Sequence, residues 1–290
     1  MNLVGCMCVR NEDWCLGLSA RVALMWCDRI VILNHASTDG TGDIPQALCE
    51  EFPDRVTIMT AIDTEWREME HRQMMLRSAR YSGATHIAII DADEILTGNL
   101  LGTIRGHVEA AGANMLMLPG YNLRGGLHRY HSNGIWGNRW FSTAFKDDPR
   151  ANWSGDKFHS REPGGITWGH VKPVKQGEGG ILHLWGASER RLRAKHVLYK
   201  VTERLRWPGT PVAEIDRMYS WAIKGDLANG YGTPDTWTYA DVPVAWWPTD
   251  LMYRGRLFLD SEPWQEAEVR HLVAEHGRER FSGLDLFGVA

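Results

Sequence analysis

The chain has 290 residues, of which 43% are hydrophobic and 23% are charged, and its formal net charge is −4 at pH 7. This composition is typical of a globular protein with a sizeable core, and it excludes a disordered chain, a collagen-like repeat and a small disulfide scaffold. No apolar run reaches the length of a membrane span, and the first residues lack the basic start and the cleavage site of a signal peptide. We therefore predict a cytoplasmic protein without a transmembrane segment.

The first 118 residues alternate predicted strands and helices. The predicted strands are 2–9, 30–34, 55–59, 86–90 and 114–118. The predicted helices are 12–28, 67–83, which Gly83 closes, and 99–112. Short strands joined by helices indicate a parallel sheet with helices on both faces, whose ligands bind beyond the carboxyl ends of the strands.

Residues 119–180 are rich in Gly, Trp, Arg and His and predict loops and short strands over that edge of the sheet. The later elements are a strand at 179–186 and helices at 188–207, 213–230 and 262–277, with Ser188 as a helix cap. A Pro- and Trp-rich connection precedes the last helix. We expect Trp136, Trp140, Trp153, Trp168 and Trp185 to lie near the active edge, with about two of them touching ligand.

Charge and cysteines add two further indications. The charge balances of residues 1–138, 139–206 and 207–290 are −5, +7 and −6, so the basic middle is suited either to an anion or to a solvated helix face. The five cysteines are odd in number, lie within the first fifty residues and lack metal-type spacing. They predict buried thiols in a reducing compartment.

The strand at 86–90 ends in three acids, Asp91, Asp93 and Glu94. Carboxylates this close repel one another, and a divalent cation would remove that repulsion. Asp91 follows the last buried strand residue, so we expect Asp91 and Asp93 at the binding edge and not in the core. Their oxygens suit Mg²⁺ or Mn²⁺; a turn of solvated acids is the structural alternative.

Two other polar turns follow predicted strands, VRNED at 9–13 and NHASTDGT at 34–41. Ser, Thr, Asp and Gly favour tight turns that cap helices, and their N–H groups can meet an anion or the edge of a base. An ordinary connecting turn explains this composition nearly as well, so either motif alone is weak.

The sequence contains VRNED, NHASTDGT, an Arg-bearing helix and DADE, in this order. In this combination it resembles the family 2 glycosyltransferases. The match covers about residues 1–118 and continues loosely to 206. It implies an α/β fold of the GT-A type, a Rossmann-like and mostly parallel sheet flanked by helices. Residues 1–206 would form the donor-binding and catalytic domain. The resemblance ends there, and we expect residues 207–290 to be a Trp-rich extension that packs on this domain and shapes the acceptor site.

The resemblance also implies a nucleotide-sugar donor, with a UDP-sugar as the first choice, and a metal that bridges its diphosphate. The metal ligands implied are Asp91, which could instead support the ribose, Asp93 and His183. The donor-binding residues implied are Val9, Arg10, Asn11, Asn34, Asp39, Arg72, Asp91 and Lys195. The family usually has an acid at the position of Asn34 or His35 that helps to recognise uracil, and this chain has none there.

An inverting transfer needs a carboxylate base opposite the leaving group. The segment WSGDKFHSRE offers Asp156, His159 and Glu162, and we favour Asp156. The resemblance implies a hydroxyl of a glycan or of a lipid precursor as the acceptor. The basic middle and the aromatic loops also permit a hydroxymethylated base in DNA, which would have to be flipped out of the duplex. The alternatives are a non-catalytic protein that binds sugar nucleotides or carbohydrate, and a nucleotidyltransferase on a similar sheet. A dehalogenase-like phosphatase would carry its DxD on the first strand, not the fourth.

Overall fold

The computed structural model describes residues 1–155, 160–224, 236–248 and 257–290. The chain divides into two compact units. The first comprises residues 1–120, 140–182 and 243–258, and the second comprises residues 121–139, 183–242 and 259–290. The predicted boundary at residues 206 and 207 falls within the second unit, and the predicted domain roles remain predictions.

The first unit is built on a sheet with the strand order β6–β8–β4–β1–β2–β3. Its strands are β1 Leu3–Val9, β2 Arg29–His35, β3 Val56–Ala61, β4 His86–Ile89, β5 Glu94–Leu96, the first part of β6 Met115–Arg124, nearly all of β8 Arg139–Lys146, and β9 His170–Val171. Strands β4, β1, β2 and β3 pair in parallel, so their carboxyl ends meet at one edge. The predicted α/β class is confirmed.

The helices of the first unit are α1 Leu16–Trp26, α2 Asp43–Glu51, α3 Glu68–Tyr81 and α4 Ile104–Ala111. Helix α3 ends before Gly83, whose φ of +75° suits glycine, as the sequence predicts. Apolar side chains of α3 pack against those of the sheet; this core includes Val4, Val31, Met75 and Ile87. Burial of these side chains is the main favourable term that holds the strand ends in place.

One strand is longer than the loops and short strands that the sequence predicts for residues 119–180. Strand β8 is eight residues long and pairs antiparallel with β4, with Ile87 opposite Phe145. Because β8 lies between β4 and β6, five consecutive residues are buried, and the alternation that marks a half-exposed strand is absent.

The second unit contains the antiparallel strands β7 Arg129–His131 and β11 Tyr239–Asp241, in the order β11–β7–β6, and the later part of β10 Ile181–Gly186. Its helices are α5 Gly134–Gly137, α6 Glu189–Arg206, α7 Val212–Lys224 and α8 Trp264–His276. The predicted cap is confirmed, since the Ser188 side chain accepts a hydrogen bond from the N–H of Arg191. Apolar residues of α6, α7 and α8 form one core, with Val197, Ile215 and Val269 fully buried. The part of the predicted helix after residue 224 lies outside the described residues.

Candidate active site

The acid turn, residues 91–94, begins just after β4 and is closed by two hydrogen bonds between its first and last residues. The N–H of Asp91 donates to Oε2 of Glu94 at 3.1 Å, and the N–H of Glu94 donates to the carbonyl of Asp91 at 3.0 Å. The Asp91 side chain is 41% exposed, whereas Asp93 and Glu94 are 7% and 3% exposed. The expectation that both aspartates lie outside the core is therefore wrong for Asp93. Asp93 is buried because it directly precedes the buried strand β5.

Arg161 pairs with two of the carboxylates of the acid turn. Its Nη1 donates to Asp91 Oδ2 at 2.8 Å and to Glu94 Oε1 at 2.6 Å, and its Nη2 donates to Glu94 Oε2 at 2.9 Å. Nη2 also donates to the carbonyl of Ile89 at 3.0 Å, and Nε donates to the carbonyl of Ser142 at 3.2 Å. A guanidinium has five N–H donors, and these contacts use all of them. Burial lowers the pKa of Arg161, but attraction to Glu94 and Asp91 outweighs burial and leaves that pKa raised.

A second arginine reaches the acid turn from α3. Arg72 donates from Nε to Glu68 Oε1 at 2.9 Å, and its Nη2 lies 3.6 Å from Asp91 Oδ1. Glu68 and Arg72 are both largely buried. Arg72, which the family resemblance places near a diphosphate, is thus held beside the acid turn.

The formal charges of this cluster do not cancel. Glu68, Asp91, Asp93 and Glu94 carry −4, the arginines 72 and 161 carry +2, and the remainder is −2. Carboxylates held this close together favour the binding of a cation. The exposed carboxylate of Asp91 is the side of the cluster that is open to solvent.

Glu162, the neighbour of Arg161, is anchored by two side chains. Its Oε1 accepts a hydrogen bond from Ser142 Oγ at 2.5 Å and lies 3.0 Å from Nε2 of His170. Its side chain is 31% exposed, so the carboxylate is accessible as well as fixed. The other candidate bases, Asp156 and His159, lie outside the described residues.

The two polar turns after β1 and β2 are hydrogen-bonded to each other. The N–H of Asn11 donates to Ser37 Oγ at 3.0 Å, and Oδ1 of Asn11 accepts from the N–H of Thr38 at 2.7 Å. Asn11 has a φ of +54°, in the left-handed region that asparagine tolerates. Asp39 caps the short turn that follows, accepting from the N–H of Thr41 at 2.9 Å.

The remaining donor candidates of the first unit lie at the same ends of β1 and β2. Val9 is buried as the last residue of β1. Arg10 donates from Nη1 to the carbonyl of Thr64 at 2.8 Å. Asn34 accepts from the N–H of Ser37 at 3.3 Å. The structure thus brings the predicted turn residues together, where they hold the two loops in a fixed relation.

A cluster of aromatic rings lies where the family usually has the uracil-recognising acid. His35 is fully buried, and its ring centroid is 4.4 Å from that of His71 and 5.2 Å from that of Trp66. Burial lowers the pKa of both histidines, which favours the neutral form. A neutral imidazole is a different recognition group from a carboxylate.

His183 and Lys195 belong to the second unit. Nδ1 of His183 is 2.7 Å from Oδ1 of Asn122, and Nδ2 of Asn122 donates to the carbonyl of Trp136 at 3.0 Å. The His183 ring stacks on Trp185 at 20° and 6.2 Å between centroids. Lys195 is half-buried on α6. The sequence gives no sign of Asn122, which orients the imidazole of His183.

Several predicted ligand-contacting tryptophans have structural contacts. Trp153 and Trp168 pack in or against the core of the first unit, and their indole N–H groups donate to the carbonyls of Ser160 and Pro163. Trp140 carries the ammonium of Lys172 over its ring at 4.6 Å. In the second unit, the Trp136 and Trp185 rings pack together at 4.7 Å between centroids.

Two findings bear on metal and membrane. Among the residues that the structure describes, no group of three or more His, Cys, Asp or Glu side chains is arranged to hold a metal ion. Within that same part of the chain, no helix combines the length and hydropathy needed to cross a bilayer.

Comparison with known proteins gives matches among solved structures only. No family model and no curated protein matches the chain. The Staphylococcus aureus TarS structure of residues 1–349 is 10% identical over 78% of this chain and 71% of that chain, with a TM-score of 0.46. Its complex with UDP-GlcNAc is 10% identical over 78% of this chain and 72% of that chain, with a TM-score of 0.46. Its complex with UDP is 11% identical over 50% of this chain and 47% of that chain, with a TM-score of 0.40.

Another solved structure that this chain matches comes from Mycobacterium tuberculosis. It is glucosyl-3-phosphoglycerate synthase in complex with Mn²⁺, UDP and phosphoglyceric acid. It is 14% identical over 42% of this chain and 43% of that chain, with a TM-score of 0.30. The chain therefore spans less than half the length of some structures that it matches, and each of these TM-scores is below 0.5.

Proposed function

We propose that the protein is a metal-dependent glycosyltransferase that moves a sugar from a nucleoside-diphosphate sugar to a hydroxyl acceptor. The acid turn carries this proposal, because the carboxylates of Asp91, Asp93 and Glu94 stand within four positions after β4 and the Asp91 side chain is exposed. A Mg²⁺ or Mn²⁺ ion would offset the repulsion between such carboxylates. Such ions often take one or two protein carboxylates and complete their shell with water and substrate phosphates.

In this proposal Asp91 and Asp93 hold the metal. When bound, the metal would act as a Lewis acid on the leaving diphosphate. Arg72, beside Asp91, is the residue of the first unit that we assign to the diphosphate. His183 and Lys195, which the sequence resemblance implies as a further metal ligand and a donor-binding residue, belong to the second unit. The linked turns that contain Asn11 and Asn34 would hold the nucleotide base; UDP remains the first choice, although His35 replaces the usual acid.

Glu162 is our choice among the described carboxylates for the base. In an inverting transfer the acceptor oxygen attacks the anomeric carbon, the bond to the diphosphate breaks, and the acceptor proton passes to the carboxylate. Ser142 and His170 fix the Glu162 carboxylate, and its partial exposure leaves room for an acceptor. Asp156, the base favoured from the sequence, remains a candidate.

The acceptor stays as open as the sequence leaves it: a glycan, a lipid precursor or a hydroxymethylated base in DNA. A saccharide acceptor would give activity that varies little with salt, whereas a DNA acceptor would give steep salt dependence. Five free thiols suit the cytoplasm, which we propose as the location.

The test is release of nucleoside diphosphate from a panel of nucleotide sugars, with Mn²⁺, with Mg²⁺ and with chelator. We expect metal-dependent release by the native protein, loss in Asp93→Asn, and retention in the control Asp148→Asn, whose carboxylate pairs with Arg150 at the surface. Full release by Asp93→Asn in chelator would overturn the proposal. Binding without release would indicate a non-catalytic protein, and release of pyrophosphate from a nucleoside triphosphate would indicate a nucleotidyltransferase.

A further inference from the structure

Arg161 lies outside the family motifs of the sequence, yet it makes the densest set of contacts at the acid turn. It is 67 to 70 positions along the chain from the acids that it binds, and its side chain is 16% exposed. The guanidinium carbon lies 5.4 Å from the centre of the Phe141 ring, which covers one face of the group. All five N–H donors are engaged, so the group is held in one orientation.

The position of Arg161 would weaken the binding of a metal ion to Asp91. The guanidinium already neutralises one Asp91 oxygen at 2.8 Å, and it carries a full positive charge next to the place where a cation would bind. Two cations that share one carboxylate repel each other, and the repulsion is strong where water is scarce. The free protein should then bind a divalent ion weakly. A diphosphate brings negative charge that offsets the repulsion, so metal and diphosphate should bind together.

The same contacts explain how the acids stay in place without a metal. Glu94 is almost fully buried and accepts two hydrogen bonds from the guanidinium, and it also accepts the N–H of Asp91. If Arg161 were absent, a buried carboxylate would lack its cation, which is costly. The arginine therefore holds the turn in the shape that presents Asp91 to solvent.

We propose that Arg161 is a positioning residue that acts as an internal counter-cation. It keeps Asp91 and Glu94 assembled before the metal arrives, and it weakens metal binding until a diphosphate is present. This inference rests on the proposed function, because it assumes that the acid turn is the metal site.

The test is titration of the protein with Mn²⁺ alone, followed by electron paramagnetic resonance of the free ion. The titration is then repeated with a saturating nucleoside diphosphate. We expect the Kd of Arg161→Gln for Mn²⁺ to be about tenfold lower than that of the native protein. Arg161→Lys keeps the charge and should bind within about threefold of native. The diphosphate should tighten Mn²⁺ binding more in the native protein than in Arg161→Gln.

Arg150→Gln is the matched control, since Arg150 forms an arginine–carboxylate pair at the surface of the same unit. It should leave Mn²⁺ affinity unchanged. If Arg161→Gln does not fold, Glu94→Gln combined with Arg161→Gln removes both buried charges and is compared with Glu94→Gln alone. The double variant should again bind more tightly.

Asp93→Asn, measured in the same titration, distinguishes a failure of the role proposed for Arg161 from a failure of the proposed metal site. If that variant loses Mn²⁺ binding while Arg161→Gln binds no more tightly than native, the role of Arg161 is overturned and the metal site stands. If Asp93→Asn binds Mn²⁺ as the native protein does, the acid turn is not the metal site, and both proposals fail.

Discussion

Replacement of Glu94 by glutamine should destabilise the first unit, since this carboxylate joins the acid turn to Arg161. The substitution replaces the carboxylate, whose oxygens lie 2.6 and 2.9 Å from Nη1 and Nη2 of Arg161, by an uncharged amide. Removal of one partner from a buried pair typically costs about 3–5 kcal/mol. Asp91 still accepts from Arg161, so we expect the lower end, about 3 kcal/mol. For a unit of this size that is a fall of about 6–12 °C in Tm.

The assay is chemical and thermal unfolding of the native protein, Glu94→Gln, Arg161→Gln and the double variant. Because the two side chains interact directly, the double variant should lose about 2 kcal/mol less than the sum of the single losses. Asp148→Asn is the control and should be indistinguishable from native. A loss below about 1 kcal/mol in Glu94→Gln, with additive single effects, would refute the role given to this pair.

Three other predictions concern both units. Lys200→Met should lower the unfolding free energy by about 3 kcal/mol, measured in urea, because the fully buried ammonium pairs with Asp216 at 2.6 Å. Burial, with help from positive Lys195, lowers the pKa of His196 to about 3. The unfolded chain therefore takes up that proton first, stability falls between pH 6.5 and about 3, and His196→Gln should flatten this slope in acid titrations. Glu162→Gln should lower kcat about 10²–10⁴-fold while calorimetry shows unchanged donor binding; an unchanged kcat would favour Asp156.

Most regular elements of the first 118 residues were predictable because their signals are local, whereas helix α2 was not predicted. The apolar runs of β1, β2 and β4 and the glycine that ends α3 each lie within a few residues of the feature that they specify. In the second unit, the Ser188 cap is of the same kind. The length of strand β8 was not predicted, because its burial depends on β4 and β6, which are far away in the sequence.

The candidate site was predictable only in part. Asp91 and Asp93 were found because they follow a strong strand signal, and the linked turns were found from their composition. Arg161 was missed because an arginine in an irregular segment is usually exposed, and nothing local indicates carboxylate partners 67 to 70 positions earlier. The excess of basic residues in the middle of the chain was the one sequence signal that pointed towards such a group.

The central claim is that a divalent cation and a diphosphate bind together at the acid turn. Calorimetric titration with a nucleoside-diphosphate sugar, with and without Mn²⁺, tests it most directly. We predict binding at least about tenfold tighter with Mn²⁺ than with chelator, and loss of that gain in Asp93→Asn. Equal affinity with Mn²⁺ and with chelator, in both the native protein and Asp93→Asn, would contradict it.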